Sequence, residues 1–329
     1  MMKKVLAFML AVVMILALSA CGTSPAPAAT QAPALAQEEA SPAEEPVGDT
    51  WIFTDSAGRE VEVPRNIQRI LPSGSLAQTF MWPLAADRII STNREYTPDQ
   101  PKANITEDLD NLQALLGIPC IFIEGSFTNT ADAYRMLGQL LNMPEEAEEV
   151  AQYIESIMNK TAEVFASNNK KTLAFVNSAD GLGCIAKGTY FDEIWSYMGD
   201  NVAVVDDGQM YWFSTVGLEQ LQTWDPEFLF FYSEDAYQNA ITDPAWSELQ
   251  AVKSGNCYTI PQQPIDFCFS PSVNRYMGIM WLAEIMYPDR FDWNIKDEVF
   301  NYYRIFYHCE MTDELYDALM SPGHTLPTE

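Results

Sequence analysis

The fold is decided by the stretch Pro144-Glu-Glu-Ala-Glu-Glu-Val-Ala-Gln-Tyr-Ile-Glu-Ser-Ile-Met-Asn-Lys-Thr-Ala-Glu-Val-Phe165. Pro144 suits the first position of a helix, and the glutamates that follow it favour the positive end of the helix dipole. Apolar residues then recur at spacings of three and four and form one stripe, namely Ala147, Ala151, Ile154, Met158, Ala162 and Phe165. The pattern continues to about Ser167, so the sequence predicts one helix over residues 144–168, about 36 Å long.

Strand and helix patterns alternate on both sides of this helix. The strand-like apolar runs are Gln68–Leu71, Arg88–Ser91, Cys120–Ile123, Leu173–Asn177, Val202–Val205, Phe228–Tyr232 and Tyr258–Ile260. The helical patterns include Leu76–Ala85, Thr130–Leu141, Phe191–Met198, Leu218–Thr223 and Val273–Met286. Such alternation predicts an α/β fold, with parallel sheets that carry helices on their faces. The long helix either joins two βα-rich halves or lies on the surface of one domain.

The N-terminus has the pattern of a secretory signal. Lys3 and Lys4 form a short basic region, and Val5–Leu18 is almost unbroken apolar sequence that is too short for a stable membrane span. The run ends in Leu18-Ser-Ala-Cys21, which resembles a bacterial lipobox. That resemblance implies cleavage before Cys21 and lipidation of its thiol. The alternative is an ordinary signal peptide with a chance cysteine.

A tether is predicted after Cys21. Residues 22–50 are rich in Ala, Pro, Glu and Gln and contain almost no large apolar side chain. Such a segment cannot bury enough surface to offset the entropy cost of ordering it, so we expect it to be disordered. Its root-mean-square reach is roughly 30 Å on the scaling for flexible linkers. The folded part would therefore sit just off the membrane.

The charge and the metal-binding residue types exclude several classes of function. Loss of Lys3 and Lys4 shifts the formal charge from −28 to near −30, so nucleic acid and anionic membrane surfaces are poor partners. The five cysteines after Cys21 are scattered and include no C-x-x-C pair, so their spacing argues against a zinc site. The two histidines, His308 and His324, cannot form a multi-histidine site for a bare ion. We therefore predict no bound metal and no cofactor.

A series of motifs resembles one protein family. The motifs, in order, are Asp55-Ser-Ala-Gly-Arg-Glu-Val-Glu-Val-Pro64, Ile67-Gln-Arg-Ile70, Ala131–Leu141, Leu218-Glu-Gln-Leu221, Trp224-Asp-Pro226, Asp243-Pro-Ala-Trp-Ser-Glu-Leu249, Ser270-Pro-Ser-Val-Asn-Arg-Tyr276 and Tyr287-Pro-Asp-Arg-Phe291. Together they resemble the iron-siderophore, haem and corrinoid class of ABC solute-binding proteins. The resemblance implies two Rossmann-like lobes, residues 51–143 and 169–329, joined by the single helix 144–168, with a ligand cleft between them. It also implies a monomer that delivers a metal chelate to an ABC permease and its ATPase.

The first lobe departs from this family pattern. After Ser91 the family has a strand, an "N-L-E" helix and a "P-D-L-V-I" strand, whereas here Thr92–Gly117 leads quickly into Ile118-Pro-Cys-Ile121. Roughly 40 residues of the first lobe are absent by that comparison. We therefore expect a shortened first lobe whose sheet lacks a strand or two, and with them part of the cleft wall.

Four predicted ligand-binding residues lie in turns or loops beside helix starts, where open α/β sheets bind their ligands. Ser73 and Ser75 flank a glycine after the first strand, where accessible backbone N–H groups suit an anionic ligand edge. A plain helix cap is the alternative. Tyr190 follows the analogous turn Lys187-Gly-Thr in the second half and either faces the cleft or packs within its lobe. Tyr211 belongs to the aromatic loop formed with Trp212 and Phe213.

Three further residues complete the predicted site. Trp212, together with Tyr211, offers a stacking surface for a planar or bulky ligand. Phe267 lies in Asp266-Phe-Cys-Phe269, which resembles the cleft segment of the family. Arg275 lies one turn into the following helix, where its guanidinium could hold a carboxylate or an anionic chelate in a bidentate geometry. An internal salt bridge is the alternative role for Arg275.

Enzyme interpretations have weaker support. Gly181-Leu-Gly-Cys-Ile-Ala186 matches a lenient dinucleotide fingerprint, but the residues after its glycines resemble a strand where a phosphate-binding helix is required. The sequence contains no G-x-S-x-G, H-E-x-x-H or P-loop motif. The acids Asp206 and Asp207 could serve a secreted hydrolase, or could simply be solvated. The predicted function is capture of a chelate by a lipid-anchored extracytoplasmic protein. The alternative is a shortened family member that acts as an interaction lipoprotein.

Overall fold

The computed structural model describes residues 9–14, 48–73, 75–90, 105–165, 170–176, 178, 181–205, 214–262, 266–269 and 272–321. The strands are β1 Met9–Met14, β2 Thr50–Thr54, β3 Glu60–Pro64, β4 Ile70–Pro72, β5 Cys120–Glu124, β6 Thr172–Val176, β7 Gly183–Cys184, β8 Asp200–Asn201, β9 Ser214–Thr215, β10 Phe228–Phe231 and β11 Cys257–Thr259. They form two sheets and one separate hairpin. The chain thus has a mixed α/β architecture, as its alternating pattern predicts.

Helices follow or separate most of these strands. They are α1 Ser75–Ala85, α2 Ile105–Leu116, α3 Thr130–Leu141, α4 Pro144–Phe165, α5 Glu193–Met198, α6 Leu218–Trp224, α7 Glu234–Thr242, α8 Gln250–Ser254, α9 Arg275–Met286, α10 Ile295–Tyr307 and α11 Asp313–Met320. Short 3-10 turns lie at Ala86–Arg88, Tyr190–Asp192 and Pro244–Trp246.

The first sheet contains a strand from the N-terminal apolar run. Its order is β4-β1-β5, and β1 is antiparallel to both neighbours. The strands β4 and β5 are therefore parallel to each other but do not pair. Because β1 lies inside the predicted signal sequence, cleavage before Cys21 would remove the middle strand of this sheet.

The hairpin formed by β2 and β3 is fastened to β5 by Asp55 and Arg59. The Asp55 side chain is fully buried and accepts hydrogen bonds from the backbone N–H groups of Ala57, Arg59 and Phe122, at 3.0, 3.0 and 3.2 Å. The Arg59 guanidinium donates to Asp55 Oδ2 at 2.7 Å and to Asp110 Oδ1 at 2.9 Å. These donors satisfy both oxygens of the buried carboxyl group. The Asp55-Ser-Ala-Gly-Arg motif is thus a clamp that holds the hairpin against the first sheet.

The second sheet is mixed. Its order is β11-β10-β6-β7-β9, with β8 also paired to β6. The strands β8 and β10 run parallel to β6, and β11 runs parallel to β10. The strand β7 is antiparallel to β6. The expectation of parallel sheets is therefore wrong for β1 and β7. Because β7 begins at Gly183, soon after β6 ends at Val176, the connection is too short for a parallel crossover, which needs about a dozen residues or more.

Side chains from both sheets share one hydrophobic core. Alternate residues of a strand point to opposite faces, so Leu173 and Phe175 of β6 face the same cluster as Ile121 of β5, whereas Ala174 and Val176 face a second cluster. The helices α1, α3, α4, α5, α9 and α10 contribute to the shared core. The opposite face of the second sheet is covered by α6, α7 and α8.

The helix α4 lies in the chain between the two sheets, where the sequence predicts it. It packs against α1, α3, α9 and α10. The turn before it is tight, because Asn142 adopts a left-handed φ of 56° and Met143 N donates to Gly138 O at 2.8 Å. A Cβ added at Gly138 would lie only 2.4 Å from the Ala147 Cβ, so glycine permits the close approach of α3 and α4.

Other predicted elements are confirmed in part. The predicted helix Thr130–Leu141 has the bounds of α3, and predicted strands at Cys120, Leu173, Phe228 and Tyr258 correspond to β5, β6, β10 and β11. Two predicted strands are wrong. Arg88–Ser91 contributes only a bridge between Ile89 and Ile70, and Val202–Val205 follows β8 without strand pairing of its own. In the second case Val202 N still donates to Leu173 O at 2.9 Å, but Val204 N turns back to Val202 O at 2.7 Å, so the chain leaves the sheet there.

Candidate functional site

Elements of the two sheets meet at the start of α9. The loop after β5 presents the Gly125 and Phe127 carbonyls to this point, and α9 presents Arg275 and Tyr276. The Tyr276 hydroxyl donates to Phe127 O at 2.8 Å, and the Arg275 guanidinium lies 5.0 Å from the centre of the Phe127 ring. The start of α9 is thereby held against the first sheet.

Arg275 lies at the centre of this cluster. Its side chain is 4% exposed and donates to Glu193 Oε2 at 2.9 Å, Gly125 O at 3.0 Å and Thr130 Oγ1 at 3.4 Å. Its Nε is buried and has no hydrogen-bond partner among the described residues. Since a buried guanidinium N–H is costly to leave without an acceptor, this donor is suited to an additional oxygen. The internal salt bridge that the sequence leaves open as an alternative is thus present.

Glu193 is the more exposed member of the ion pair, with 31% of its side chain accessible. Burial raises the pKa of this carboxyl, and the neighbouring Arg275 opposes the rise. Glu124 and Asp192 raise its pKa further because their negative charges repel it. Burial and the two neighbouring charges thus disfavour the ionised form of Glu193, whereas its ion pair with Arg275 favours that form.

Tyr190 lies close to Arg275. Burial raises the pKa of the Tyr190 hydroxyl, and the positive charge of Arg275 partly offsets that rise. Two of the predicted site residues thus lie near each other. Tyr190 belongs to the 3-10 turn that precedes α5, and the Asp192 carboxylate holds that turn. It accepts from Gly188 N at 2.6 Å, Ser196 Oγ at 2.6 Å and Asn201 Nδ2 at 2.7 Å.

An aromatic surface adjoins this turn. Phe191 stacks on Phe269 with 5.1 Å between the ring centres, and Tyr232 meets Phe269 edge to face at 5.2 Å. The predicted residue Phe267 is instead fully buried, with its N–H bonded to Pro261 O at 3.0 Å. Phe269, two residues further along, is half-buried. The segment therefore offers Phe269 to a ligand and commits Phe267 to the core.

The remaining predicted residues do not all have a described position. Ser73 is exposed and lies two residues before Ser75, where α1 begins. Ser75 is the first residue of α1, but its side chain is outside the described part of the structure. Tyr211 and Trp212 lie outside the described residues, as do Asp206, Asp207 and Cys21.

Sequence reasoning missed Glu193, Gly125 and Thr130. Glu193 follows a predicted site residue by only three positions, but its partner Arg275 is 82 residues away and no periodicity links the two. Gly125 and Thr130 contribute through a backbone carbonyl and a hydroxyl at the end of a predicted strand and the start of a predicted helix. The position of Gly125 at a strand end was a usable signal.

Metal-ligating side chains do not cluster in the described part of the chain. No three His, Cys, Asp or Glu residues there lie close enough to hold an ion. Cys120, Cys184, Cys257, Cys268 and Cys309 are all unpaired, and only Cys309 is exposed. Cys120, Cys184 and Cys257 lie in the core. Within the same described ranges, no helix is both long and apolar enough to cross a membrane.

The comparison with family models decides the family. Residues 99–264, from before α2 to beyond β11, match the model described as "Periplasmic binding protein". The chain belongs to the periplasmic binding protein family. This confirms the resemblance on which the sequence interpretation rests. Arg275 lies outside the matched residues, whereas Tyr190 and Glu193 lie within them.

Two curated binding proteins match part of the chain. The Fe(3+)-citrate-binding protein YfmC of Bacillus subtilis is 29% identical over 139 residues, which is 41% of this chain and 43% of that protein. The molybdate-binding protein MolA of Haemophilus influenzae is 26% identical over 145 residues, which is 43% of this chain and 40% of that protein. The match thus spans about two fifths of the length of each relative. Both are named as binding proteins, not as enzymes.

Solved structures of periplasmic binding proteins match more of the chain. An ABC transporter solute-binding protein from Sulfurospirillum deleyianum superposes with a TM-score of 0.70 at 18% identity, over 82% of this chain and 98% of the other. The molybdate-bound MolA of Haemophilus influenzae superposes with a TM-score of 0.57 at 17% identity, over 80% and 99%. At these identities the likeness shows the fold alone.

Proposed function

We propose that this protein is the extracytoplasmic substrate-binding lipoprotein of an ABC importer. It captures a metal chelate (ferric siderophore, haem or corrinoid) and delivers it to the permease. The observation that carries the proposal is the Arg275 cluster, where a buried guanidinium joins elements of the two sheets and keeps one N–H without an acceptor among the described residues. Membership of the periplasmic binding protein family supports the same role.

The proposal includes a lobe arrangement. Residues 51–143 and 169–329 form two Rossmann-like lobes, the first of them shortened, and α4 is the connecting helix. The ligand lies between the lobes, beside Arg275 and Tyr190, with Ser73, Ser75, Tyr211 and Trp212 as further wall residues. The protein acts as a monomer, attached to the cell membrane through a lipid on Cys21.

Ligand capture proceeds by exchange of acceptors on Arg275. In the free protein, Glu193 balances the guanidinium at a distance of 2.9 Å. An anionic oxygen of the ligand takes the place of Glu193, or bonds to the unpartnered Nε, and so gains a charge-assisted hydrogen bond. Displaced Glu193 turns toward solvent, which its partial exposure permits. The exchange costs little, because the desolvated carboxylate regains hydration.

The chemistry of the site favours an anionic chelate over a bare cation. Arg275 attracts negative charge, and the adjoining rings of Phe191 and Phe269 suit the apolar or planar parts of an organic chelator. The two curated relatives are named for anionic ligands, Fe(3+)-citrate and molybdate. We therefore place ferric carboxylate chelates first among the candidate ligands.

The proposal is tested by ligand-induced thermal stabilisation of the purified chain. Ferric citrate, a ferric hydroxamate, haem and cobalamin are each titrated, and the rise in melting midpoint gives the affinity. Arg275→Lys is expected to weaken binding of the active ligand at least about tenfold, because a lysine cannot present the planar guanidinium fork. Glu193→Gln is expected to strengthen binding, because it removes the competing charge.

A matched surface pair provides the control. Arg304 and Glu149 form an ion pair at 3.2 Å in which both side chains are more than half exposed. Arg304→Lys and Glu149→Gln should leave ligand affinity unchanged. If no ligand of the panel raises the midpoint of the folded protein, the alternative of a non-transport interaction lipoprotein gains support and the proposal fails.

A further inference from the structure

Two buried hydrogen-bond donors near the start of α9 have no acceptor within the described ranges. They are Nε of Arg275, whose side chain is 4% exposed, and the hydroxyl of Tyr134, which is 0% exposed. A buried donor without an acceptor costs free energy, and native proteins leave few of them. Two such donors in one cluster indicate a site that an acceptor from outside the chain completes.

The helix α3 brings Tyr134 to Arg275. Arg275 Nη2 donates to Thr130 Oγ1 at 3.4 Å, and Tyr134 lies one helical turn beyond Thr130 on the same face of α3. Burial raises the pKa of the Tyr134 hydroxyl, as do the nearby hydroxyls of Tyr276 and Tyr307. The positive charge of Arg275 opposes this rise. The Tyr134 hydroxyl therefore keeps its proton and is a second donor near the guanidinium.

The Tyr134 ring is held on two sides. It stacks on Phe80 with 4.4 Å between the ring centres and meets Phe306 edge to face at 6.2 Å. The neighbouring Tyr276 hydroxyl already donates to Phe127 O at 2.8 Å, whereas the Tyr134 hydroxyl cannot swing away to find an acceptor of its own. A donor fixed in this way is pre-organised for a ligand.

The guanidinium of Arg275 has one edge that suits a carboxylate. Nη1 donates to Glu193 Oε2 at 2.9 Å, and Nη2 donates to Gly125 O at 3.0 Å and to Thr130 Oγ1 at 3.4 Å. In the planar group, Nε–H and one N–H of Nη2 point the same way and can bind a carboxylate through two parallel hydrogen bonds. This edge includes the donor that lacks an acceptor, and the 3.4 Å bond is long for N–H···O, so a carboxylate here displaces only a weak contact.

Arg135 shows that one guanidinium of this chain can hold two carboxylates at once. Glu148 accepts from its Nε and Nη2 at 2.8 and 3.0 Å, and Glu155 accepts from its Nη1 and Nη2 at 2.7 and 2.9 Å. Arg275 has a carboxylate on Nη1 only. It can therefore bind another on its Nε edge whether or not Glu193 remains in place.

The donor set favours a carboxylate over water. Arg275 Nε is a donor only, and the Tyr134 hydroxyl offers a hydrogen that nothing in the described part of the chain accepts. A carboxylate accepts from both groups and gains charge-assisted hydrogen bonds from the guanidinium. A buried water molecule would also need acceptors for its own two hydrogens.

On the basis of the function proposed above, we propose that Tyr134 determines ligand specificity: its hydroxyl and the Nε edge of Arg275 together bind one carboxylate group of the captured chelate. The substrate class is ferric chelates that carry a carboxylate, and chelates without one bind more weakly. Because both donors are buried in the free protein, the carboxylate enters when the long contact between Arg275 and Thr130 opens.

Tyr134→Phe tests the hydroxyl alone, because it removes one oxygen and keeps the ring. The matched control is Tyr302→Phe, since Tyr302 is also 0% exposed but its hydroxyl donates to Asn274 Oδ1 at 3.3 Å. In the ligand-free chain, Tyr134→Phe should raise the melting midpoint by about 2 °C, because it removes a buried donor that lacks an acceptor. Tyr302→Phe should lower the midpoint by about the same amount, because it removes a hydrogen bond.

Affinities are then measured on the same chains with ferric citrate and with a ferric hydroxamate that carries no carboxylate. The unaltered chain should bind ferric citrate at least about tenfold more tightly than the hydroxamate. This preference should disappear in Tyr134→Phe and persist in Tyr302→Phe. A purely structural role of the Tyr134 hydroxyl would instead lower both the melting midpoint and the affinity for every ligand.

Three outcomes contradict the specificity role. A lower melting midpoint of ligand-free Tyr134→Phe would show that the hydroxyl has a partner in the free protein, such as a buried water molecule. An unchanged preference for ferric citrate in Tyr134→Phe, or no such preference in the unaltered chain, would overturn the role of Tyr134 while the proposed function stands. Binding of no chelate by the folded chain would overturn both.

Discussion

Loss of the Asp55 carboxylate should destabilise the protein far more than loss of the Asp110 carboxylate, although both pair with Arg59. The Asp55 side chain is 0% exposed and that of Asp110 is 61% exposed. Asp55→Ala strips the acceptor from three backbone N–H groups and leaves the 6%-exposed guanidinium of Arg59 with only its solvent-facing partner and the Cys120 carbonyl. Breaking a buried pair in this way costs about 3–5 kcal/mol.

The matched variant Asp110→Ala removes only the partly hydrated half of the interaction. Exposed ion pairs contribute about 0–1 kcal/mol, so its effect on the free energy of unfolding should stay below about 1 kcal/mol. Urea denaturation measures both variants, and an unchanged slope with denaturant confirms that the same surface is exposed on unfolding. If the two variants lose unfolding free energy to within about 0.5 kcal/mol of each other, burial does not determine how much each carboxylate stabilises the protein, and the reasoning is refuted.

Three further predictions concern the neighbourhood of α9 and the cysteines. Gly278→Ala should cost about 1–3 kcal/mol of unfolding free energy, because the new Cβ would lie 2.3 Å from the Phe267 carbonyl oxygen. Gly48→Ala should cost less than about 0.5 kcal/mol, because its Cβ would lie 4.0 Å from the Thr50 carbonyl oxygen, an ordinary contact. Equal costs would contradict the close approach at Gly278. Burial raises the pKa of Glu193, so the unfolded chain releases this proton at the lower pH, and the group's contribution to stability falls as pH rises above the ordinary value of about 4.3. The stability of the protein relative to Glu193→Gln should therefore decline with rising pH in that range, and an increase measured by denaturation would be the wrong sign. Of the five described cysteines, only Cys309 should react with a thiol reagent in the native state, and labelling of a second one without unfolding would contradict the assigned burial.

Long periodic elements could be predicted from the sequence, whereas short and non-local ones could not. The helices α3 and α4 carry an apolar stripe over three or more turns, so the local pattern alone determines them. The two-residue strands β7, β8 and β9 contain no period to detect. Their pairing depends on where the ends of β6 lie in three dimensions, and that information is not local.

The N-terminal apolar run shows a different limit. A run of this kind is equally compatible with a signal segment and with a buried strand, because periodicity does not separate them. What places Met9–Met14 in the first sheet is its pairing with β4 and β5, which lie far away in the sequence.

The sequence indicates which turns carry candidate site residues, but it does not indicate which of those residues contact each other. Tyr190 and Arg275 were selected because each lies beside a helix start, and the structure brings them together. Alternation within Asp266-Phe-Cys-Phe269 did not reveal which phenylalanine is buried, because the segment is a turn without strand geometry. The ion pair between Glu193 and Arg275 joins distant parts of the chain and required the fold.

The central claim is that this protein captures a metal chelate, and native mass spectrometry tests it most directly. The chain is purified and mixed in turn with ferric citrate, a ferric hydroxamate, haem and cobalamin at equal concentration. The account predicts one chelate per folded monomer for at least one of them, with the adduct strongly reduced in Arg275→Lys and retained in Arg304→Lys. Absence of any adduct on a folded chain, or an adduct that Arg275→Lys leaves unchanged, would contradict it.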